Sequence, residues 1–202
     1  MNRRLLLLAL PTLAACSVLP ERPYGEVRRF PLNPQRNAAL PAATPRAGRR
    51  RVLLIRLMRA APGQDSRGLR ALRADGTEAI DYYAEWSAPP AELAEEALRR
   101  WLSGSGLFGA VVAPGSRAAA ELVLETELTT LLADRGKREA RAGLSAVLLR
   151  EADGRTQVLT QLAVTGTAPL PDSTAPELTA AAMVEAFAAA LGALERGIAP
   201  FA

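Results

Sequence analysis

Apolar and polar positions alternate longest between residues 119 and 167. Over 119–131, Leu122, Leu124, Thr126 and Leu128 alternate with Glu121, Val123, Glu125 and Glu127. Over 137–151, Ala140, Ala142, Leu144, Ala146 and Leu148 alternate with Arg141, Gly143, Ser145 and Val147. A period of two with one apolar side predicts antiparallel strands in a sheet with one covered face and one partly wet face. A third strand is expected over 155–167. Turns at 134–136 and at Asp153-Gly154, the second a tight hairpin signal, would join the three into a meander.

Upstream, the run 52–58 is apolar except for Arg56 and suits an interior strand closed by Pro62-Gly63. Residues 69–73 are expected to pair through Asp75-Gly76 with a strand ending at Tyr83. Adjacent tyrosines on a strand point to opposite faces, so of Tyr82 and Tyr83 one should pack under a helix and the other face solvent. Ser87 then reads as an N-cap, with Pro89 and Pro90 in the first turn of a helix. In that helix Leu93, Ala97, Leu98, Trp101 and Leu102 form one stripe, while Glu95–Arg99 and Glu96–Arg100 are favourable i,i+4 pairs. Gly104 and Gly106 end it, and 108–112 is a short apolar strand before Pro114-Gly115. If the strands flanking this helix are parallel, their crossover should be right-handed.

A second helix is expected after Pro169 and Pro171, opened by a capping box of Thr174 and Glu177. Met183, Val184, Phe187, Leu191, Leu194 and Ile198 make its apolar side, and Gly197 and Pro200 close it. Both helices have one face to bury, and one sheet face is the economical place for them. The expected fold is α+β: one mixed, mostly antiparallel sheet covered by two amphipathic helices.

The N-terminus changes the cellular reading. Arg3 and Arg4 precede an apolar run over 5–10, which is shorter than the roughly 20 residues needed to span a bilayer, and small residues lead to Cys16. This is a secretory signal pattern over 1–15, and Leu13-Ala14-Ala15-Cys16 resembles a bacterial lipobox whose cysteine is acylated; an ordinary cleaved signal beside a chance cysteine is the alternative. Residues 16–50 carry six prolines from Pro20 to Pro45 and read as a tether with a short edge strand at 24–30. Its end holds Arg46, Arg49 and Arg50, with Arg51 beside them, a basic cluster read first as solvated linker and second as a contact for anionic lipid or an acidic surface. The folded domain is then 51–202, of a size for one core.

Composition removes whole classes of chemistry. Of the 25 basic residues, Arg3 and Arg4 lie in the leader, leaving 23 against 21 acids, an excess of only +2. With no basic face interleaved with aromatics, nucleic-acid binding is not expected. There is no histidine, and Cys16 is the only cysteine, which excludes histidine triads, histidine and cysteine-rich metal sites and an internal disulfide. Glu121, Glu125 and Glu127 share a strand face as paired catalytic carboxylates would, but acids on the wet face of a strand are ordinary. Ser103, Ser105 and Ser116 sit near glycines without a nucleophile elbow or a base, and Gly104-Ser105-Gly106 lacks the Gly-Lys-Ser/Thr of a phosphate loop. No catalytic residue, cofactor or metal site is assigned, and the chain is not expected to be an enzyme. Tyr82, Tyr83 and Trp86 remain as candidate partner-binding residues, against the alternative of a corner packed on Trp101 and Phe108.

The order of these features carries a resemblance. Residues 69–73, Asp75, Gly76, Tyr82, Tyr83, Trp86, Pro89, Leu93, Leu98, Phe108, Val111, Pro114, Gly115 and Ser116 resemble the ABC-type transport auxiliary lipoproteins, the PqiC-like group that accompanies lipid transporters with MCE (mammalian cell entry) domains. The resemblance implies a palmitate-bearing, non-catalytic lipoprotein facing the periplasm, docking onto the MCE-domain protein of an ABC transporter and supporting outer-membrane integrity. With the non-acidic Ser17 after Cys16, it implies sorting to the outer membrane. A carrier that binds phospholipid between sheet and helices, and an activator of an envelope synthase, are the alternatives. Association of the chain with further copies of itself is left open.

Overall fold

The computed structural model describes residues 25–36 and 50–202. The signal segment, Cys16 and most of the tether, including Arg46 and Arg49, lie outside the described residues.

One strand organises the sheet. β7 (Leu122–Asp134) pairs along one edge with β8 (Glu139–Ala152), which pairs with β9 (Arg155–Pro169), both antiparallel. These are the three strands expected as a meander. Asp153 and Gly154 both take positive φ, 51° and 70°, as a tight primed hairpin requires.

The other edge of β7 is built from pieces. β2 (Val52–Ile55), β3 (Arg59–Ala60) and β4 (Gly68–Leu72) follow one another along it, all parallel to it. The run 52–58 is therefore not one strand. Leu53 lies opposite Leu122 and Arg59 opposite Glu127, so one residue is lost from register between them. Arg56 and Leu57 are pushed out, and the Met58 N–H donates to Glu95 at 2.8 Å instead of to the ladder. β6 (Ala110–Val112) flanks β2 in parallel; β5 (Glu78–Trp86) flanks β4 antiparallel; β1 (Arg28–Phe30) flanks β5 in parallel. The order β1-β5-β4-β7-β2-β6 puts β5 and β6 far apart and antiparallel, so the unit around the first helix is no right-handed parallel crossover. The long ladders are antiparallel and the short ones parallel, which gives the mixed α+β sheet expected.

Both helices lie on one face. α1 (Pro90–Ser103) starts from Pro89 without a side-chain cap; Ser87 lies two residues before that N-cap, its N–H donating to the Phe30 carbonyl. It buries Ala91, Ala94, Ala97, Leu98, Trp101 and Leu102, whereas Leu93 is only half-buried. Both helix ion pairs form, Glu96–Arg100 at 2.8 Å and Glu95–Arg99 at 4.0 Å. α2 (Pro176–Ile198) is capped by Ala175, not by the expected Thr174 box; Glu177 reaches Arg28, and the Ser173 hydroxyl accepts from the Ala175 N–H. A 3₁₀ turn, Ala199–Phe201, follows.

α2 is long and apolar enough to cross a membrane, yet it is the core helix of this domain. Met183, Phe187, Leu191 and Leu194 are fully buried against the sheet. Gly166 explains the closeness of that contact: a Cβ there would lie 2.1 Å from the Ala186 carbonyl oxygen of α2. Only a glycine lets the helix backbone rest on β9 at this point. Each large side chain buried this way stabilises the fold by about 1.5–3 kcal/mol.

Candidate partner-binding surface

The tyrosine pair owes its exposure to a break in the β4–β5 ladder. Arg70 pairs with Ile80, but Gly68 pairs with Glu85, so residues 81–84 have no matching length on β4. The excess swells out as a bulge. The Asp81 carboxylate accepts from the Tyr83 N–H at 2.8 Å, which closes a local turn in the bulge. Gly68 makes room for it, since a Cβ there would lie 2.5 Å from the Asp81 carbonyl oxygen. The two tyrosines therefore do not fall on opposite faces as regular strand geometry would put them: Tyr82 is 86% exposed and Tyr83 58% exposed. Tyr83 leans on the backbone of Gly25, while Tyr82 projects free, with Ile80 exposed nearby.

The end of the bulge is held firmly. Regular pairing resumes at Ala84, and Trp86 is 1% exposed in the core. Trp86 is thus removed from the partner-binding set, because its indole faces the packed interior on the helix side. Glu85 accepts from Arg29 at 2.8 Å and from Arg67 at 3.0 Å. The hydrogen bond from Arg29, with the charge of Arg67 beside it, holds the Glu85 carboxyl below the usual range. At the other end Asp75 is likewise lowered by the Thr77 hydroxyl and N–H, which fix the turn at Gly76.

A second feature lies on the sheet face that carries no helix. Val112, Leu54, Val123, Leu149 and Val158 occupy one cross-strand row over β6, β2, β7, β8 and β9. Arg56 reaches Glu125 and Glu151, which lie on either side of that row. Beside it is an open hollow of about 610 Å³ lined by Leu54, Arg56, Leu57, Arg59, Pro114 and Glu125. Leu57, extruded by the register loss between β2 and β3, is 73% exposed.

The model of the ABC-type transport auxiliary lipoprotein component family matches residues 27–199. The chain belongs to this family. The auxiliary lipoprotein is similar in fold to a Xanthomonas campestris protein of 23% sequence identity; the match covers 87% of this chain and 93% of that one, with a TM-score of 0.64. An uncharacterized protein of 11% identity also superposes with a TM-score of 0.64, over 86% of this chain and 99% of its own. A search of curated proteins gave no match.

Four of the other residues weighed for chemistry, Glu121, Glu125, Ser105 and Ser116, have structural roles in this auxiliary lipoprotein. Glu125 is paired with Arg56, and Glu121 lies 3.8 Å from Arg51. Ser105 is buried, bonding Leu102 and Leu107 at the end of α1, and Ser116 caps its own turn. No group of three metal-ligating side chains occurs among the described residues. The sequence reading missed one polar cluster entirely. Glu195, on the buried side of α2, takes both guanidinium nitrogens of Arg36 at 2.6 and 2.7 Å and the Trp101 indole N–H at 2.8 Å. Arg36 also lies over the Trp101 ring, 5.4 Å from its centre. One carboxylate thus ties the N-terminal segment to both helices. Its only signal was a single acid between Leu194 and Ile198.

Proposed function

We propose that this auxiliary lipoprotein is acylated at Cys16, after removal of residues 1–15, and is held at the outer membrane by a tether over 16–50. Its folded domain docks through the Tyr82–Tyr83 bulge onto the periplasmic MCE-domain protein of an ABC lipid transporter. Family membership supports the auxiliary role, and this family is not one of known enzymes. The observation that carries the docking surface is the bulge itself. A tyrosine that projects 86% exposed from a strand braced by Glu85 offers a large, rigid, amphipathic contact at little ordering cost. Tethering keeps the local concentration of the domain high, so a modest contact suffices.

The test uses two variants. Cys16→Ala should leave the protein in the soluble fraction. Tyr82→Asp should retain membrane association and thermal stability yet lose co-purification with the transporter's MCE-domain protein. Full recovery of that partner by Tyr82→Asp would overturn the docking surface, and membrane-bound Cys16→Ala would overturn the anchor.

A second reading has one observation in its favour. The hollow beside Leu57 combines apolar walls with Arg59 and the Arg56–Glu125 ion pair, a lining that suits an amphiphile with a polar head group. It is on the open sheet face rather than between sheet and helices, where the space is filled by core side chains such as Phe187 and Leu98. Phospholipid that co-purifies in native mass spectrometry, and is lost on Leu57→Asp, would favour a carrier.

A further inference from the structure

Residues 25–36 are pinned to the domain at both ends. At the start, Tyr83 lies against Gly25, β1 pairs with β5 from Arg28 to Phe30, and Arg28 reaches Glu177 in the first turn of α2. At the end, Arg36 is held by Glu195 in the last turn of α2. The strap between them follows the helix along its length: an extended chain from 28 to 36 covers about 26 Å, and the helix from 177 to 195 rises about 27 Å.

The chain resumes at that same far end. The Gly109 N–H donates to the Arg51 carbonyl at 2.9 Å, and the Arg51 guanidinium donates to the Phe201 carbonyl at 2.8 Å. Residues 37–49 thus leave and re-enter the domain near the C-terminal end of α2, and their length has no bearing on how far Gly25 stands from Cys16. Of the stretch 16–50, only 17–24 can serve as the leash of a lipid-anchored domain. Fully drawn out, the nine steps from Cys16 to Gly25 reach about 30 Å.

The leash ends at a corner that is apolar where it faces outward. Beside the projecting Tyr82, Ile80 is 42% exposed and Leu178 44% exposed. Ile80 shares a small hollow with Pro176 at the start of α2, and Leu178 follows Glu177, the partner of Arg28, so all three side chains belong to this corner. The charges around them cancel in pairs, Arg28 with Glu177 and Arg70 with Glu78.

We propose that this corner lies against the lipid surface, with Ile80 and Leu178 in the headgroup layer and Tyr82 at its boundary with water. Two observations select a bilayer as the occupant. The first is reach. The leash holds the corner within about 30 Å of the membrane, whereas the exposed Val158 belongs to the opposite end. Val158 is level with Val123 through Leu149, and Ala79, next to Ile80, is level with Ala133 through Ala71, which sets the two ends about 30 Å apart along β7. The second is chemistry. Aliphatic side chains beside a tyrosine, with no excess of either charge, suit the interfacial layer of a membrane rather than a strongly charged surface. The inference rests on acylation at Cys16, and it puts the partner contact of Tyr82 at the membrane surface.

Once acylated, Cys16 has no free thiol, so a single added cysteine takes a nitroxide label alone. The full chain, purified from membranes, is reconstituted in vesicles of phosphatidylethanolamine and phosphatidylglycerol. Labels at Ile80→Cys, Leu178→Cys and Val158→Cys are compared for relaxation by oxygen, which concentrates in lipid, and by a water-soluble nickel chelate. The oxygen-to-nickel ratio should be severalfold higher at 80 and 178 than at 158, and salt should not change it. A Gly-Ser insertion of about six residues after Glu21 adds about 20 Å of reach and should lower the ratio, while the same insertion after Ala42 should leave it unchanged. Equal ratios at the three positions would overturn the placement and leave the anchor standing. So would labels at 80 and 178 shielded from both reagents, or an equal response to the two insertions. Protein missing from the vesicle pellet would overturn the anchor, and this placement with it.

Discussion

β7 has two unlike edges. Along one, β8 follows it from Leu122 to Asp134 with a single irregularity near Thr129. Along the other, β2, β3 and β4 share the same length in three short pieces. The continuous side, with β9 and α2, is where backbone touches backbone and the core is densest. The broken side is where chain is released: Arg56 and Leu57 between β2 and β3, residues 61–67 between β3 and β4, and the tyrosines where β5 overruns β4. The exposed side chains Leu57, Tyr82 and Tyr83 all stand where the ladder is interrupted.

Two glycines bring that difference to a direct test. Added methyl groups at Gly166 and Gly68 would each lie within 2.5 Å of a backbone oxygen, Ala186 in one case and Asp81 in the other. On the continuous side the oxygen belongs to a buried helix that has nowhere to go. Gly166→Ala should therefore cost about 3 kcal/mol or more, read as a loss of melting temperature. On the broken side the oxygen belongs to an exposed bulge that can yield. Gly68→Ala should cost about 1 kcal/mol and instead speed amide exchange over 81–83. Equal losses at the two sites would remove the distinction.

Between these in size lies the contact that bridges the halves. Glu195→Gln keeps an acceptor for the Trp101 indole but gives up the charge-assisted pair with Arg36, and should cost about 2 kcal/mol. Arg36→Met combined with Glu195→Gln should recover part of that loss, since no half-buried guanidinium is then left unpaired. A chemical denaturation series on the two variants decides it.

How far the sequence could be read follows the same division. The meander, its Asp153-Gly154 hairpin and the two helices were legible, because a period of two and a period of 3.6 survive wherever an element is continuous. The broken side was not. Residues 52–58 look like one strand, since an apolar run carries no mark of a one-residue slip against a distant partner. Tyr82 and Tyr83 were expected on opposite faces because alternation assumes a ladder, and the three extra residues of β5 are visible only once Gly68 and Arg70 are placed. Ser87 and Thr174 have the composition of helix caps, yet prolines start both helices and the ordinary capping side chains have no part to play. Trp86 was grouped with the tyrosines by proximity in sequence, although pairing with β1 returns it to the core. Glu195 could not be distinguished from any other acid on a helix, because its meaning lies in Arg36 and Trp101.

The smallest expected effect concerns the clamp at the base of the bulge and follows from the sign of two shifted carboxyls. Asp75 and Glu85 are both held below their ordinary values of 3.8 and 4.5, Asp75 mainly by the Thr77 hydroxyl and Glu85 mainly by Arg29. A depressed acid gives stability that is present above its unfolded pKa and lost as pH falls through the folded one. The bulge should therefore hold its shape at neutral pH and loosen only as pH falls below the ordinary carboxylate range, as Glu85 and Asp75 become protonated. The chain has no histidine, so stability should be flat from about pH 5 to 8, where an unperturbed histidine would titrate. Glu85→Gln removes one depressed carboxyl from this side and should lower the melting temperature slightly at neutral pH while making the acid limb of the melting curve shallower. Asp75 is exposed and Glu85 partly so, so salt should shrink the difference further. The readout that isolates the bulge is the ring resonance of Tyr83 against Gly25. It should move with the acid limb in the natural protein and move less in Glu85→Gln; an unchanged resonance through the acid limb would mean that the Glu85 clamp does not hold the tyrosines.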